Sequence, residues 1–442
     1  MSDPPTRARF SSAAHLLGSG LVGLGFFVVP IHMDGRWTVA FDVFVTSLTK
    51  GAPTLVSLWS LGLIALGAVG SITWQRDPRL ASFKAGAILT GLRWAGLFLA
   101  VLFASGTAPE WLAAKGVGGL MWGVLVASVA VIMPVGAAVL NVLVGYGMIE
   151  LLGTWMRPVM RPVFRLPGRA ALDDLMSWLG SYSVGLYVTR KLVDQGRYTR
   201  REAFLIATGF STVSVGFVGV VCSTLELLHL FPVVFGTYFV LVYALAAVQA
   251  RIWPATSISD QTVGAADPEP EVPFSQAWTV AMERAQRAPA VGRVLWKGLG
   301  EGTALAATIL GTILAVGTAA TAVAEYTPLF DVLGAPLVPV LTALGLPDAE
   351  LLAPAVLAGI TEMYIPALLV KDAAVEGRFF IAVLSISQLV FFSSVAPMML
   401  DLFKDLPIRV SHLLVIFAFR TVVLVPVLAA LVHLYGALGL FG

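Results

Sequence analysis

Glu362 is the side chain whose chemistry is hardest to explain away. It stands in "AGITEMYIPALLV", an apolar stretch interrupted by Gly359 and Pro366. An ionisable group at membrane depth is costly, so it needs a partner, a proton or a cation. Three functional readings follow: an acceptor for a substrate hydrogen bond, a proton carrier, or a cation ligand. A fourth is a salt bridge that only locks the fold. Arg420, in "VIFAFRTVVLV", lies about ten residues into a long apolar run and so near mid-membrane at ~1.5 Å per residue. It can hold a carboxylate-bearing substrate or pair with Glu362.

A second broken stretch, "LGSYSVGLYV", places Ser181, Tyr182 and Ser183 between Gly180 and Gly185. Tyr182 and Tyr364 could stack on a ring-bearing solute or anchor a cavity rim. A polar cluster follows each stretch: Ser211, Thr212 and Ser214 after the first, then Ser385, Gln388, Ser393 and Ser394 after the second. Hydroxyls in spans usually bond back to their own helix, but two repeat-related clusters are a stronger signal. The substrate candidates are therefore Gly180, Ser181, Tyr182, Ser183, Gly185, Thr212, Thr361, Glu362, Tyr364, Gln388, Ser393 and Arg420. Glu362 and Ser394 are the ion-coupling candidates, for H⁺ or Na⁺. Asn141 and Glu301 are secondary candidates, and Arg93 is expected to snorkel to an interface.

The elements that position these groups are set by composition. Of 442 residues, 58% are hydrophobic and 12% charged, and the mean hydropathy is +0.87. Soluble domains carry about twice that charge. The expected fold is an all-α polytopic membrane protein of about nine transmembrane helices plus two re-entrant helical hairpins. Windows of about 20 apolar residues place the spans at 14–32, 53–74, 85–105, 118–146, 202–225, 230–252, 299–325, 379–400 and 411–437. Arg7 and Arg9 before the first run imitate a secretory signal, but Pro30, His32, Asp34 and Arg36 follow without a cleavage pattern. That run reads as a retained span.

The stretches 170–196 and 351–376 are apolar but broken. Free backbone polar groups are tolerated in the bilayer only where they face protein or a water-filled cavity. Both read as hairpins that dip in and return to the side they started from. With an N-terminus inside, this arrangement puts 21 of the 28 Lys and Arg in inside loops and five outside, a strong positive-inside signal. The expected location is a bacterial inner membrane, with the N-terminus cytoplasmic and the C-terminus periplasmic.

The two halves resemble each other. "IELLGTWMRPV" from Ile149 matches "FDVLGAPLVPV" from Phe330, pairing Glu150 with Asp331, Gly153 with Gly334 and Pro158 with Pro339 at an offset of 181. Arg157, Arg161 and Arg165 follow in the first copy, and the equivalent second stretch has no Lys or Arg. The copies are thus expected to be inverted, an arrangement that serves alternating access. The expected divisions are an N-terminal segment 1–117, a first repeat 118–253, a cytoplasmic linker 254–297 and a second repeat 298–442. The linker's 254–272 is Pro-rich and acidic and reads as flexible, and a short interfacial helix follows it.

Other classes are disfavoured. Cys222 is the lone cysteine and the five histidines are scattered, which argues against a metal site, and no cofactor is implied. There is no H-E-x-x-H, G-x-S-x-G or phosphate-loop motif, so no enzyme is expected. No basic, aromatic-interleaved soluble domain exists for nucleic acid. The expected partners are the lipid bilayer and a small polar solute, with homo-oligomerisation open.

The paired "ELLG…RPV…LPG" and "DVLG…VPV…LPD" segments, each before a broken hairpin, resemble the nucleoside recognition or Gate domain. That domain occurs in concentrative nucleoside transporters, in the ferrous-iron transporter FeoB and in spore maturation proteins. Over nearly its full length the chain resembles the YjiH family of bacterial membrane proteins, through "FFVVPIHMDGRWTVAFDVFV", "GSYSVGLYVTRKLVDQGRYTRREA" and "FRTVVLVPV". The resemblance implies an inner-membrane transporter of a nucleoside-like solute with substrate and ion contacts in both hairpins. The chain departs from the nucleoside transporters in having Ser181, Tyr182 and Ser183, not acids or amides, at its first tip. It also lacks the GTPase domain of the iron transporter. The sequence thus favours a secondary transporter of a small polar solute, nucleoside-like or amino-acid- or peptide-like. The alternative is a non-transporting scaffold or gating component that acts with a partner protein.

Overall fold

The computed structural model describes residues 18, 30–33, 36–73, 83, 85–179, 182–263, 273 and 276–441. A short antiparallel hairpin, β1 (Pro30–Met33) and β2 (Arg36–Val39), pairs Ile31 with Thr38. Every later element among the described residues is helical. The main helices, in chain order, are α1 (Ala40–Gly51), α2 (Pro53–Thr73), α3 (Ala87–Ser105), α4 (Ala127–Gly145), α5 (Met148–Val159), α6 (Ala170–Leu179) and α7 (Tyr182–Asp194). Next come α8 (Arg200–Gly209), α9 (Val215–Thr224), α10 (Phe231–Gln249), α11 (Ala277–Gln286) and α12 (Val291–Tyr326). The chain closes with α13 (Leu329–Gly334), α14 (Val338–Ala343), α15 (Ala349–Ala358), α16 (Ile365–Leu369), α17 (Val375–Ser387), α18 (Val395–Leu402) and α19 (Val410–Ala437).

Six helices among the described residues are long and apolar enough to cross a bilayer: α2, α3, Lys115–Val139, Leu228–Gln249, α12 and α19. The protein is an all-α polytopic membrane protein. The 21 residues of α2 span about 31 Å, the thickness of a hydrocarbon core. Leu55, Leu58, Phe98 and Val422 stand well exposed on these helices, as lipid-facing side chains do.

Two expected spans are not continuous. Residues 202–225 fold as α8 and α9 with a break at 210–214, and 379–400 fold as α17 and α18 with a break at 388–394. No single piece reaches across a ~30 Å core. The breaks coincide with the two hydroxyl clusters, whose side chains offer the backbone an alternative to the helical ladder. The expected first span, 14–32, lies almost wholly outside the described residues, and its last residues begin β1.

The helix order runs twice. A long crossing helix, an amphipathic piece, a two-helix hairpin, a broken helix and a final long helix occur as α4–α10, then as α12–α19. Both hairpins are built from helices too short to cross: α6 with α7, and α15 with α16.

The chain forms two compact units, 1–56 with 128–211 and 246–306, and 57–127 with 212–245 and 307–442. In the first, α4 and α12 cross at backbone contact. A Cβ on Gly298 would lie 2.6 Å from the Ala137 carbonyl, and one on Gly302 would lie 2.4 Å from that of Met133. This is the small-xxx-small packing of membrane helices. The N-terminus of α8 carries a capping box, Thr199 with Glu202. Part of the expected flexible linker is pinned there. Arg200 and Arg201 donate their amides to Gln261 and Ser259, and Arg201 pairs with Asp260 at 3.1 Å. Residues 264–272 lie outside the described residues. The expected interfacial helix is α11, which packs on α5. In the second unit, α2 and α3 approach α12 so closely that a Cβ on Gly67 or Gly96 would strike the carbonyl of Ala307 or Gly311.

Candidate functional site

In the second unit the hairpin tip, Gly359–Tyr364, meets the break between α17 and α18. The carbonyls of Ile360 and Thr361, freed by the end of α15, accept the amides of Phe392 and Ser393, each at 2.7 Å. Two irregular strands thus satisfy one another where water is scarce. Leu389 adopts a φ of 61° to make the turn. The Val356 carbonyl, left over by the same helix end, takes the Nε2 of Gln388 at 3.0 Å, and that nitrogen also reaches Thr421 Oγ1 at 2.9 Å. Gly359 permits the approach, since a Cβ there would stand 2.0 Å from Gln388 Oε1.

Glu362 is buried. Its carboxylate accepts the Tyr364 amide at 2.5 Å, and the amides of Ile365 and Met363 also bond to it. It sits on the unpaired N-terminal amides of α16, where a negative charge is favoured. Among the described residues no cation pairs with it, so the Glu362–Arg420 ion pair is not formed. Arg420 instead donates from Nη1 to the Ser387 carbonyl, at the last residue of α17. Three buried polar atoms here, Gln388 Oε1, Ser387 Oγ and Ser393 Oγ, have no hydrogen-bond partner among the described residues. Orphaned polar atoms are costly away from water, and these offer an acceptor and two hydroxyls to a polar ligand.

Of the remaining candidates in this unit, Tyr364 is anchored. Its hydroxyl is 2.9 Å from Thr224 Oγ1, and its ring meets Phe217 edge-on. Thr361 bonds from its hydroxyl back to Ala358, and Ser394 precedes α18. Thr212 is buried in the other break, where the phenol of Tyr238 serves both backbone polar groups of one residue. It accepts from the Val213 amide at 2.8 Å and donates to the Val213 carbonyl at 3.2 Å. At the offset of 181, Tyr238 falls one residue before Arg420. A polar side chain from the following long helix therefore meets each broken helix.

The first hairpin belongs to the other unit. Gly180 and Ser181 lie outside the described residues. Tyr182 and Ser183 open α7 and are buried. Gly185 is not the breaker expected from its spacing, because α7 runs through it. A Cβ there would lie 1.9 Å from Ser177 Oγ, so its smallness lets α6 and α7 touch. The sequence reading missed the carboxylate of this hairpin, Asp173. It is buried and accepts Tyr198 Oη at 2.5 Å and Thr189 Oγ1 at 2.7 Å. Burial, and the Asp173 charge beside it, push the Tyr198 phenol well above its ordinary range, so it stays a donor.

Asn141 and Glu301 are brought together with two partners from α7. Glu301 Oε2 accepts from Asn141 Nδ2 at 3.0 Å and from Tyr187 Oη at 2.8 Å, with Lys191 Nζ at 3.3 Å. Lys191 also donates to Asn141 Oδ1. Arg93 does not snorkel. It is fully buried, and its Nη2 is 2.6 and 2.7 Å from the two oxygens of Asp401. A lone acid in "APMMLDLF" was the available signal for that partner.

Residues 126–228, from the start of α4 to the end of α9, match the family model described as Gate, nucleoside recognition. The chain carries a Gate domain. An uncharacterized protein of Alkalihalophilus pseudofirmus is 29% identical over 434 residues, covering 94% of this chain and 93% of its own. No solved structure matches.

Proposed function

We propose that this chain is a secondary transporter of the bacterial inner membrane that moves a small polar solute by alternating access. The solute is nucleoside-like or amino-acid- or peptide-like, with H⁺ or Na⁺ coupled through Glu362. The observation that carries the reading is the second helix break, where Gln388 Oε1, Ser387 Oγ and Ser393 Oγ lie buried and have no hydrogen-bond partner among the described residues, at the joint with the hairpin tip that carries Glu362. Broken helices are how transporters expose main-chain polarity and helix ends to a solute at mid-membrane. The duplicated helix order supports two halves over 118–253 and 298–442, and the bias of 21 basic residues to one side supports a cytoplasmic N-terminus and a periplasmic C-terminus. The Gate domain, by its description, supports a nucleoside among the solutes to try first.

The test is an uptake screen in proteoliposomes with nucleosides, amino acids, short peptides and organic acids, with and without ion gradients. Uptake of one class, lost in Gln388→Ala, is the expected result. Flat uptake throughout, together with co-purification of an obligate partner, would support the scaffold reading instead.

A further inference from the structure

Glu362 owes its setting to main chain alone. Among the described residues its carboxylate is met by the amides of Met363, Tyr364 and Ile365 and by no side chain. Those amides lie at the start of α16, a helix of five residues with Pro366 in its first turn. A single turn does not hold its own conformation in isolation. Something beyond α16 must therefore fix the amides against the acid.

Tyr364 meets the acid with its amide and α9 with its side chain. Its phenol lies 2.9 Å from Thr224 Oγ1. Thr224 commits its own proton to the Val220 carbonyl at 3.0 Å, so the Tyr364 hydroxyl is the donor. The Tyr364 ring stands edge-on to Phe217, with centroids 6.1 Å apart. Phe217 and Thr224 are two turns apart on α9 and share one face. The anchor is itself tied down. Arg378 of α17 donates from Nη1 to the Leu225 carbonyl at 2.9 Å, just past the end of α9, and pairs with Glu226 at 3.1 Å. In the duplicated helix order α9 belongs to the first copy, and α16 and α17 belong to the second.

We infer that Tyr364 is a positioning residue for Glu362, through which the place of α9 sets how firmly the carboxylate is held. The inference rests on the reading of Glu362 as the coupling acid, and names what governs it. α9 begins directly after the break that contains Thr212. A shift of that broken helix pulls on the phenol and draws the amides away from the acid. A carboxylate short of donors in a dry site needs another partner, which H⁺ or Na⁺ supplies. The break in one copy is in this way linked to the acid in the other.

Hydrogen–deuterium exchange of the full chain in detergent, without solute, reads the three amides, since Pro366 contributes none. Thr224→Val removes the acceptor, keeps the shape and lies outside the measured segment. Exchange at 363–365 should rise about five-fold, the worth of one hydrogen bond, with the melting temperature near wild type. Tyr364→Phe, which removes the donor of the same bond, should do likewise, and Thr224→Ser, which keeps the hydroxyl, should match wild type. In Glu362→Gln the amides already face a weaker acceptor. Adding Thr224→Val there should accelerate them by less than it does alone. Wild-type exchange in both Thr224→Val and Tyr364→Phe would overturn the inference. So would equal acceleration in the two backgrounds, because Thr224 would then steady the hairpin without acting through the acid. Flat uptake in the proteoliposome screen counts against the transporter reading, whereas exchange at 363–365 alone decides the role of Tyr364.

Discussion

Asp401 and Arg93 are bound to each other across 308 positions of sequence, with Nη2 equidistant from both carboxylate oxygens to within 0.1 Å and neither side chain reaching solvent. The remaining Nη1 is spent on the Phe83 carbonyl at 2.9 Å. A buried pair of this kind adds little over an apolar one, but breaking it strands a charge. Asp401→Ala should therefore cost about 3–5 kcal/mol. Arg93→Met/Asp401→Leu should recover most of that loss. Thermal unfolding of the detergent-purified protein reads both. A double variant no more stable than the single one would remove the pair from its place in holding α3 to α18.

Tyr238 serves both backbone polar groups of Val213, its N–H and its carbonyl. Tyr238→Phe keeps the ring and removes the hydroxyl that meets them, leaving a donor and an acceptor stranded. The expected loss is about 1–3 kcal/mol, with faster amide exchange at 212–214 in hydrogen–deuterium mass spectrometry. Unchanged exchange there would mean that the break is satisfied by other groups.

Glu362→Gln keeps the shape of the acid on α16 and removes its charge. If Glu362 carries the coupling proton or cation, uptake should become independent of the ion gradient while solute binding persists. A purely structural acid predicts the opposite pattern: lower stability and an intact response to the gradient. Uptake with and without a gradient, beside a melting curve, separates the two.

Gly302→Val would drive a branched side chain into the Met133 carbonyl, where a Cβ already lies at 2.4 Å. The backbone cannot yield cheaply, so the variant should be poorly produced or melt many degrees lower. Gly300→Val, two residues away with open space around it, should stay near wild type in the same assay. Similar behaviour of the two would mean that α4 and α12 do not touch at Gly302.

The long crossings were legible because a 20-residue apolar window measures the same property that the bilayer selects. The breaks were not, because 202–225 and 379–400 remain apolar on average whether or not the helix is continuous. Ser211, Ser393 and their neighbours marked the right places, but serine also sits quietly in intact helices. Gly185 misled for a related reason, since spacing does not distinguish a glycine that ends a helix from one that lets two helices touch. Asp401 sits close to Lys404 and Asp405, where an acid near a loop draws no notice, and its partner is remote in sequence. Glu362 stood out because its own neighbourhood is so apolar, and the side chain is buried.

The two main-chain bonds from Ile360 and Thr361 to Phe392 and Ser393 have a mechanical consequence. Prising the hairpin from the broken helix would leave four peptide groups bare in oil, so these two parts travel as a single rigid piece. Any pivot that lets the protein change state must fall outside this joint.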